Sequence, residues 1–191
     1  MDYTEGTEIE KRRRAKKMML WFGIVSLSMS FAGLTSAFVV SRKRSDWVEN
    51  LTIPKFFMYS LVVIIVSSLT MELAKRAVRS GRNNEGTTWL LITWALGVLF
   101  IYFQFLGFKE IYLQLGYAFN ENISFSFLYI IVLVHIAHLI AAMIALMVVI
   151  YNHFKQRYTQ GKTLGIELAA TFWHFVDFVW IYLFLFFYFF R

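Results

Sequence analysis

Long stretches without a single charged residue constrain this chain more than any other feature of its sequence. Four stretches carry no Lys, Arg, Asp or Glu over 16 to 33 residues, and a fifth contains only Asp177. They are Met18–Ser41, Phe56–Met71, Gly86–Phe108, Asn122–Phe154 and Leu168–Phe190. A helix needs about 20 apolar residues to cross a hydrocarbon core roughly 30 Å thick. Because lipid offers the backbone no hydrogen-bond partners, such stretches cross a bilayer as helices.

The sequence therefore predicts an all-α integral membrane protein, a bundle of five transmembrane helices. We expect helices near residues 18–41, 55–78, 87–108, 124–152 and 166–190, forming one membrane domain over 18–191 after a basic cytoplasmic segment at 1–17. Only 16% of the 191 residues are charged and 59% are hydrophobic. This excludes an ordinary soluble domain, in which about 25% of residues are charged. The absence of cysteine excludes disulfides, thiolate copper sites and iron–sulfur clusters.

The basic residues predict how the helices are oriented. Thirteen lie in the N-terminal segment and the second and fourth connections, whereas six lie on the other side. The thirteen are Lys11, Arg12, Arg13, Arg14, Lys16, Lys17, Lys75, Arg76, Arg79, Arg82, Lys155, Arg157 and Lys162. This excess predicts a cytoplasmic N-terminus and a periplasmic C-terminus. The net charge of +7 then reflects membrane topology, and we expect no nucleic-acid partner.

Few ionisable side chains lie within the predicted helices, and each is costly to place in a bilayer. His135 and His138 are three residues apart and so share a face of the fourth helix. Glu167 and His174 are seven residues apart, which is about two turns. Asp177, three residues beyond His174, lies on the same side of the fifth helix.

Depth along the helices predicts which of these side chains meet. At about 1.5 Å per residue from the cytoplasmic ends, His138 lies roughly 20 Å into the membrane and Asp177 roughly 17 Å. A carboxylate and an imidazole in contact there would offset each other's desolvation cost. We therefore expect a hydrogen bond between Asp177 and His138, with Glu167 bonded to a histidine as the alternative. Asp177, Glu167, His138 and His174 are all expected to point into the bundle.

Spacing alone leaves three interpretations of this polar set open. The side chains are ligands for zinc, iron or a b-type haem, or a proton relay, or a polar clamp between the last two helices that also holds a lipid headgroup. Likewise, the basic segment at 11–17 is either a topology anchor or a binding site for anionic headgroups. Twelve of the 19 residues from Phe172 to Phe190 are aromatic, which favours a packing surface with an interfacial belt.

Several segments resemble subunit III of the haem–copper oxidases. Residues 172–180, FWHFVDFVW, closely resemble the WHFVDxVW signature of the family's last helix, with Trp173 and Trp180 as its tryptophans. The other matching residues are Glu167 before the signature, His135 and His138 as the HxxH of the preceding helix, Glu72 within Ser67–Ala74, Gly81, and Gln104. The resemblance covers about residues 18–191, in the five-helix bacterial form of the family.

This resemblance implies an accessory subunit of a proton-pumping terminal oxidase that reduces oxygen to water. It implies no catalytic, cofactor-binding or metal-binding residue in this chain, because haem and copper reside in subunits I and II. The implied role is to pack against subunit I, bind phospholipid, protect the complex during turnover and support proton uptake. The implied location is the bacterial inner membrane.

The chain also departs from the family pattern. The long family form has two further helices, which help to form a lipid-filled cleft, and this chain resembles the five-helix form without them. Leu27 stands where the family usually has a membrane glutamate, so no role of that carboxylate transfers. Lys75 and Arg76 replace a pair of histidines.

Three other functions remain open on the sequence. The chain could be the equivalent subunit of a quinol oxidase, or a related partner of a nitric oxide reductase. A function of a different class is an independent b-type cytochrome, with His135 or His138 pairing with His174 on a haem.

Overall fold

The computed structural model describes residues 7–44, 47, 54–115, 123–156 and 163–190. Within these ranges the chain forms five α-helices and no strand. They are α1 (Glu8–Ser41), α2 (Lys55–Arg79), α3 (Asn83–Leu115), α4 (Ile123–Phe154) and α5 (Leu164–Phe189). All five are long and apolar enough to cross a membrane. The predicted all-α class and the predicted number of spanning helices are therefore confirmed.

Helix α1 begins ten residues before its apolar stretch. The side chain of Thr7 accepts a hydrogen bond from the Glu10 main-chain nitrogen, and the Glu10 carboxylate accepts one from the Thr7 nitrogen at 3.0 Å. This reciprocal capping satisfies two of the free N–H groups at the helix start. The basic residues at 11–17 consequently lie on a helix, while residues 1–6 of the predicted N-terminal segment lie outside the described residues.

Contacts at the helix ends show that consecutive helices run in opposite directions. Arg13 near the start of α1 and Arg79 at the end of α2 both contact Glu167 near the start of α5. His153 near the end of α4 hydrogen-bonds the main-chain oxygen of Asn83, the first residue of α3, at 3.0 Å. We call this side of the molecule the Glu167 end. At the opposite end the main-chain nitrogen of Lys55 donates to the Glu110 carboxylate at 3.1 Å.

Helices α2, α3, α4 and α5 close a ring in which each packs against the next, and α1 packs outside it against α4 and α5. The buried residues of α1 form a single stripe of Ile24, Phe31, Thr35 and Phe38. Such a narrow stripe is what a helix with contacts on one side requires. Near the end opposite Glu167, the Thr35 and Tyr182 hydroxyls share a hydrogen bond of 2.9 Å that joins α1 to α5.

The most extensive packing between two helices of the described structure is that of α2 against α3. Gly81, with φ of 74°, makes the short turn between them, a conformation that glycine adopts without strain. Near the other end of α3, a Cβ on Gly107 would lie 2.3 Å from the Phe57 ring. The missing side chain at Gly107 is thus what lets the Phe57 ring lie against the α3 backbone.

Trp180 of α5 occupies the middle of the ring and is fully buried. Its indole contacts Phe57 of α2 and Phe100 of α3 edge to face, with centroids 5.6 and 5.2 Å apart. The His135 ring of α4 stacks on it at 5.2 Å and 29°. One signature residue therefore packs against all three other helices of the ring.

Candidate functional site

At the Glu167 end, one carboxylate joins three helices. Glu167 Oε1 lies 3.3 Å from Arg13 Nη2 and 3.0 Å from Arg79 Nη2, and Oε2 lies 3.2 Å from Lys17 Nζ. The Thr163 hydroxyl also donates to Oε1 at 2.9 Å. Because the carboxylate side chain is only 13% exposed, these contacts are far less screened than those of a surface pair. They fix the starts of α1 and α5 against the end of α2.

About two turns further along α5, His174 bonds to α2. Its Nδ1 and the Ser68 hydroxyl are 2.7 Å apart, and its Nε2 lies 3.8 Å from Glu72 Oε2. Glu72 is also in contact with Lys75 and lies 3.1 Å from Arg76 Nε. Lys75 and Arg76 thus serve as the counter-charges of Glu72.

Asp177 continues this line of polar groups towards the middle of the membrane. It is 3% exposed, and neither carboxylate oxygen has a hydrogen-bond partner among the described residues. It lines a cavity of about 280 Å³ together with Ser68, His174 and apolar side chains of α2 and α5 such as Ile64 and Phe178. The Ser68 hydroxyl in this cavity is engaged by His174.

The remaining signature residues pack and hydrogen-bond within the ring. The Trp173 indole N–H donates to the Ser67 hydroxyl at 3.1 Å, and both residues are buried. The Gln104 amide donates to the Ser60 hydroxyl at 3.1 Å, which links α3 to α2. These bonds link helices that the ring places side by side.

The histidines of α4 point away from the polar line on α5. His138 Nδ1 hydrogen-bonds the main-chain oxygen of Val134 in its own helix at 2.7 Å. The rings of His135 and His138 both meet Phe31 of α1 edge to face, at 6.3 and 5.7 Å. His135 is fully buried, its ring stacks on the Trp180 indole, and neither ring nitrogen has a hydrogen-bond partner among the described residues.

The predicted hydrogen bond between Asp177 and His138 is wrong. His138 is bonded within α4, and Asp177 lies against α2. The alternative pairing of Glu167 with a histidine is also absent from the described residues, since cations and Thr163 surround Glu167. The polar side of α5 faces α2 rather than α4.

Four side chains of the site were not assigned to it from the sequence. From the sequence, Arg13 and Lys17 were predicted only as part of the basic segment at 11–17, Arg79 only as one of the basic residues that set the orientation, and Ser68 only as part of the family resemblance. The sequence did contain a signal for these cations, because all three of them and Glu167 lie near predicted helix ends on the same side of the membrane. The sequence did not say that α1, α2 and α5 converge there.

The geometry of the donor set does not favour a haem or metal site. Among the described residues, no group of three or more His, Asp or Glu side chains is arranged to hold a metal ion. The cavity beside His174 and Asp177 is lined by neither His135 nor His138. A pair of axial histidines from α4 and α5 would have to face one shared space, and these rings do not.

Five spanning helices joined by buried polar contacts define a multi-pass membrane protein whose ionisable groups hold helices together. Comparison with known protein families then identifies the family to which the chain belongs. The family model described as cytochrome c oxidase subunit III matches residues 17–191, and the chain belongs to that family. It is accordingly a subunit III of a haem–copper oxidase and part of an oxidase complex, as the sequence resemblance predicted.

Individual relatives agree with the family match. A cytochrome c oxidase subunit 3 of Thermostichus vulcanus is 27% identical over 165 residues, which cover 84% of this chain and 80% of the relative. One from Corynebacterium diphtheriae is 28% identical over 164 residues, covering 82% and 79%. One from Synechocystis sp. is 28% identical over 168 residues, covering 85% and 70%. The similarity thus extends over most of both chains.

Proposed function

We propose that this chain is the accessory, non-catalytic subunit III of a proton-pumping cytochrome c oxidase in a bacterial inner membrane. The observation that carries the proposal is that the polar side chains engage neighbouring helices rather than one reactive centre. Glu167 binds cations of α1 and α2, His174 binds Ser68, and His135 stacks on Trp180. Haem and copper belong to the partner subunits.

Its direct partner is subunit I, with subunit II and the other subunits completing the complex. Apolar side chains remain exposed along the length of every helix, as on α2 at Val62, Ile65 and Leu69. In a membrane these faces contact lipid tails or the apolar surface of another subunit. The names of the relatives support cytochrome c as the electron donor.

The Glu167 end is the cytoplasmic side in this proposal, since most basic residues lie there. Glu72 and Glu167 are then carboxylates near the surface from which an oxidase takes up protons. The proposed contribution is to stabilise subunit I during turnover, bind phospholipid and support proton uptake. None of these steps requires a reacting atom in this chain.

Co-purification tests the proposal most simply. A strain carrying this chain with an affinity tag is solubilised in mild detergent, and the eluate is examined by mass spectrometry and optical spectroscopy. We expect a haem–copper subunit I and a haem spectrum to elute with the tag. If the haem spectrum persists after the subunit I gene is deleted, the chain is a b-type cytochrome and the proposal fails. Elution of the tagged chain alone also contradicts it.

A further inference from the structure

The cavity of about 280 Å³ between α2 and α5 has the carboxylate of Asp177 at its floor. Asp177 and Ile64 on that floor are 3% and 2% exposed. The side chains at its rim are 45 to 67% exposed, and they are Ile65, Leu69 and Phe178. The cavity is therefore a groove on the outside of the bundle, with a polar floor and an apolar rim. We call it the Asp177 groove.

The chain itself leaves most of the hydrogen-bonding capacity of this carboxylate unmet. A carboxylate accepts about four hydrogen bonds. Neither oxygen of Asp177 has a partner among the described residues. The Ser68 hydroxyl lines the same groove, but it has one hydrogen and lies 2.7 Å from His174 Nδ1. Asp177 differs in this from Glu72 and Glu167, whose carboxylates contact cations of the chain.

The depth of Asp177 decides what can reach it. It lies 13 residues from Leu164 and 12 from Phe189, the two ends of α5, and so near the middle of the helix. At about 1.5 Å per residue, roughly 20 Å of helix lies on either side. Lipid headgroups and bulk water stay outside a hydrocarbon core roughly 30 Å thick, and acyl chains carry no hydrogen-bond donor. A donor at this depth is therefore supplied by a side chain of another membrane-spanning helix.

An unpaired carboxylate in the middle of a membrane is costly, because a buried polar group without a partner has lost its hydrogen bonds to water. Polar side chains within a membrane accordingly face protein and pair there. Hydrogen bonds between side chains are among the interactions that hold membrane helices together. A partner side chain that entered the groove would remove the cost of burying Asp177.

We propose that the Asp177 groove is a docking site for a membrane-spanning helix of a neighbouring subunit, which presents a hydrogen-bond donor to Asp177 in the middle of the membrane. An amide, a hydroxyl or a cationic side chain has the required chemistry. The apolar rim packs against the apolar flanks of the same helix. The inference rests on the proposed function in that it places the chain in a complex of membrane subunits, and it names the surface and the contact that hold the chain there.

Two tryptophan variants test the surface. Ile65 and Ile140 are each 45% exposed, and each lies 14 residues before the last residue of its helix at the Glu167 end. Ile65→Trp fills the groove, whereas Ile140→Trp adds the same bulk on α4 outside it. The complex is held on a column through a tag on another subunit and washed with increasing detergent. We expect about tenfold weaker retention of this chain in the first variant only.

Two variants of Asp177 test the contact. Asp177→Leu leaves the partner's donor unpaired, so we expect retention to fall about tenfold. The isolated chain should become more resistant to SDS, because an unpaired buried carboxylate has been removed. A residue that only stabilised the fold of this chain would lower both quantities together. Asp177→Asn can still accept a hydrogen bond and should keep more of the retention than Asp177→Leu.

Unchanged retention of Asp177→Leu overturns the proposal, as do equal losses in the two tryptophan variants. A photo-crosslinking benzoylphenylalanine at position 178, on the rim, identifies the docked helix, and a crosslinked segment without a donor side chain within one turn also contradicts it. Failure of the proposed function is seen separately, in co-purification with the tagged, unaltered chain. A partner complex without haem contradicts that function but not the groove, and elution of the chain alone overturns both.

Discussion

Glu167 is a single side chain that connects three helices. Its carboxylate contacts cations from α1 and α2 and the hydroxyl of Thr163 just before α5. An anion near the start of a helix is also favoured by the helix dipole. The neighbouring cations and the helix dipole therefore both stabilise the negative charge of Glu167.

Replacing Glu167 with Gln should destabilise the bundle. The amide keeps the size of the side chain but leaves Arg13, Lys17 and Arg79 facing each other without a counter-charge. We expect the free energy of unfolding in mixed detergent micelles to fall by about 1 to 3 kcal/mol. A denaturant titration with SDS measures it.

Glu85→Gln is the matched control for that measurement. Glu85 contacts Arg82 at 3.0 Å, but the two side chains are 53% and 60% exposed. Exposed pairs contribute about 0 to 1 kcal/mol, so the change should be small. Equal losses in the two variants would contradict the central role of Glu167.

A second prediction concerns the buried bond between Trp173 and Ser67. Ser67→Ala removes the acceptor and leaves a buried indole N–H unpaired, which should cost about 1 to 3 kcal/mol. In a double-mutant cycle with Trp173→Phe, part of that loss should disappear, since the second change removes the donor. Ser28→Ala is the control, because the Ser28 hydroxyl bonds only its own helix, at Ile24. Additive losses in the cycle would show that the bond contributes nothing.

Residue spacing predicted part of the site, and only part. The seven-residue interval between Glu167 and His174 put them on one side of α5, and both do contact α2. Spacing and depth give the axial level and the face of a helix. They do not give which neighbour that face meets, and for this reason the partner of Asp177 was wrongly predicted.

At the scale of elements, the apolar stretches predicted where each helix lies in the chain better than they predicted the residues at which it begins and ends. Helix α2 was expected over 55–78 and spans Lys55–Arg79. Helix α1 was expected from residue 18 and begins at Glu8, because the Thr7 and Glu10 cap starts it inside the basic segment. Hydropathy registers only the part of a helix that lies in lipid, and capping decides where the helix begins.

The contact between α2 and α3 gives a prediction at this scale. Gly107→Ala places a methyl group against the Phe57 ring, so the two helices must separate or the ring must move. We expect a loss of about 1 to 3 kcal/mol, as for other overpacked positions. Thermal or SDS denaturation of the purified complex measures it.

Gly23→Ala tests whether the effect is one of packing. Beyond the local helix backbone and the adjacent residues, no described atom lies within 4 Å of a Cβ at Gly23, and alanine favours a helix over glycine by about 1 kcal/mol. This variant should be neutral or slightly more stable. A loss equal to that of Gly107→Ala would point to a general cost of changing glycine in these helices.

At the scale of the whole molecule, the number of helices was predictable and their arrangement was not. Lipid demands helices of a certain length, which five apolar stretches supply. The closed ring of α2 to α5 and the outer position of α1 depend on contacts such as Trp180 with three neighbours. Such contacts join residues far apart in the chain, and a hydropathy profile does not predict them.

The orientation in the membrane is a further prediction at this scale. Alkaline phosphatase fused after residue 191 should be active, because it is active only in the periplasm. The same enzyme fused after Gly81 should be inactive, since that turn lies at the basic Glu167 end, which is the proposed cytoplasmic side. Activity in the second fusion and none in the first would reverse the assigned orientation.

The central claim is that this chain supports an oxidase without holding any of its redox centres. Its most direct test is the oxidase purified from a strain that lacks this chain, with optical spectra and oxygen consumption followed through many turnovers. We predict an unchanged haem content per subunit I and an unchanged initial rate, followed by faster loss of activity during turnover. A complex that has lost haem, or that is inactive from the first turnover, would contradict the account.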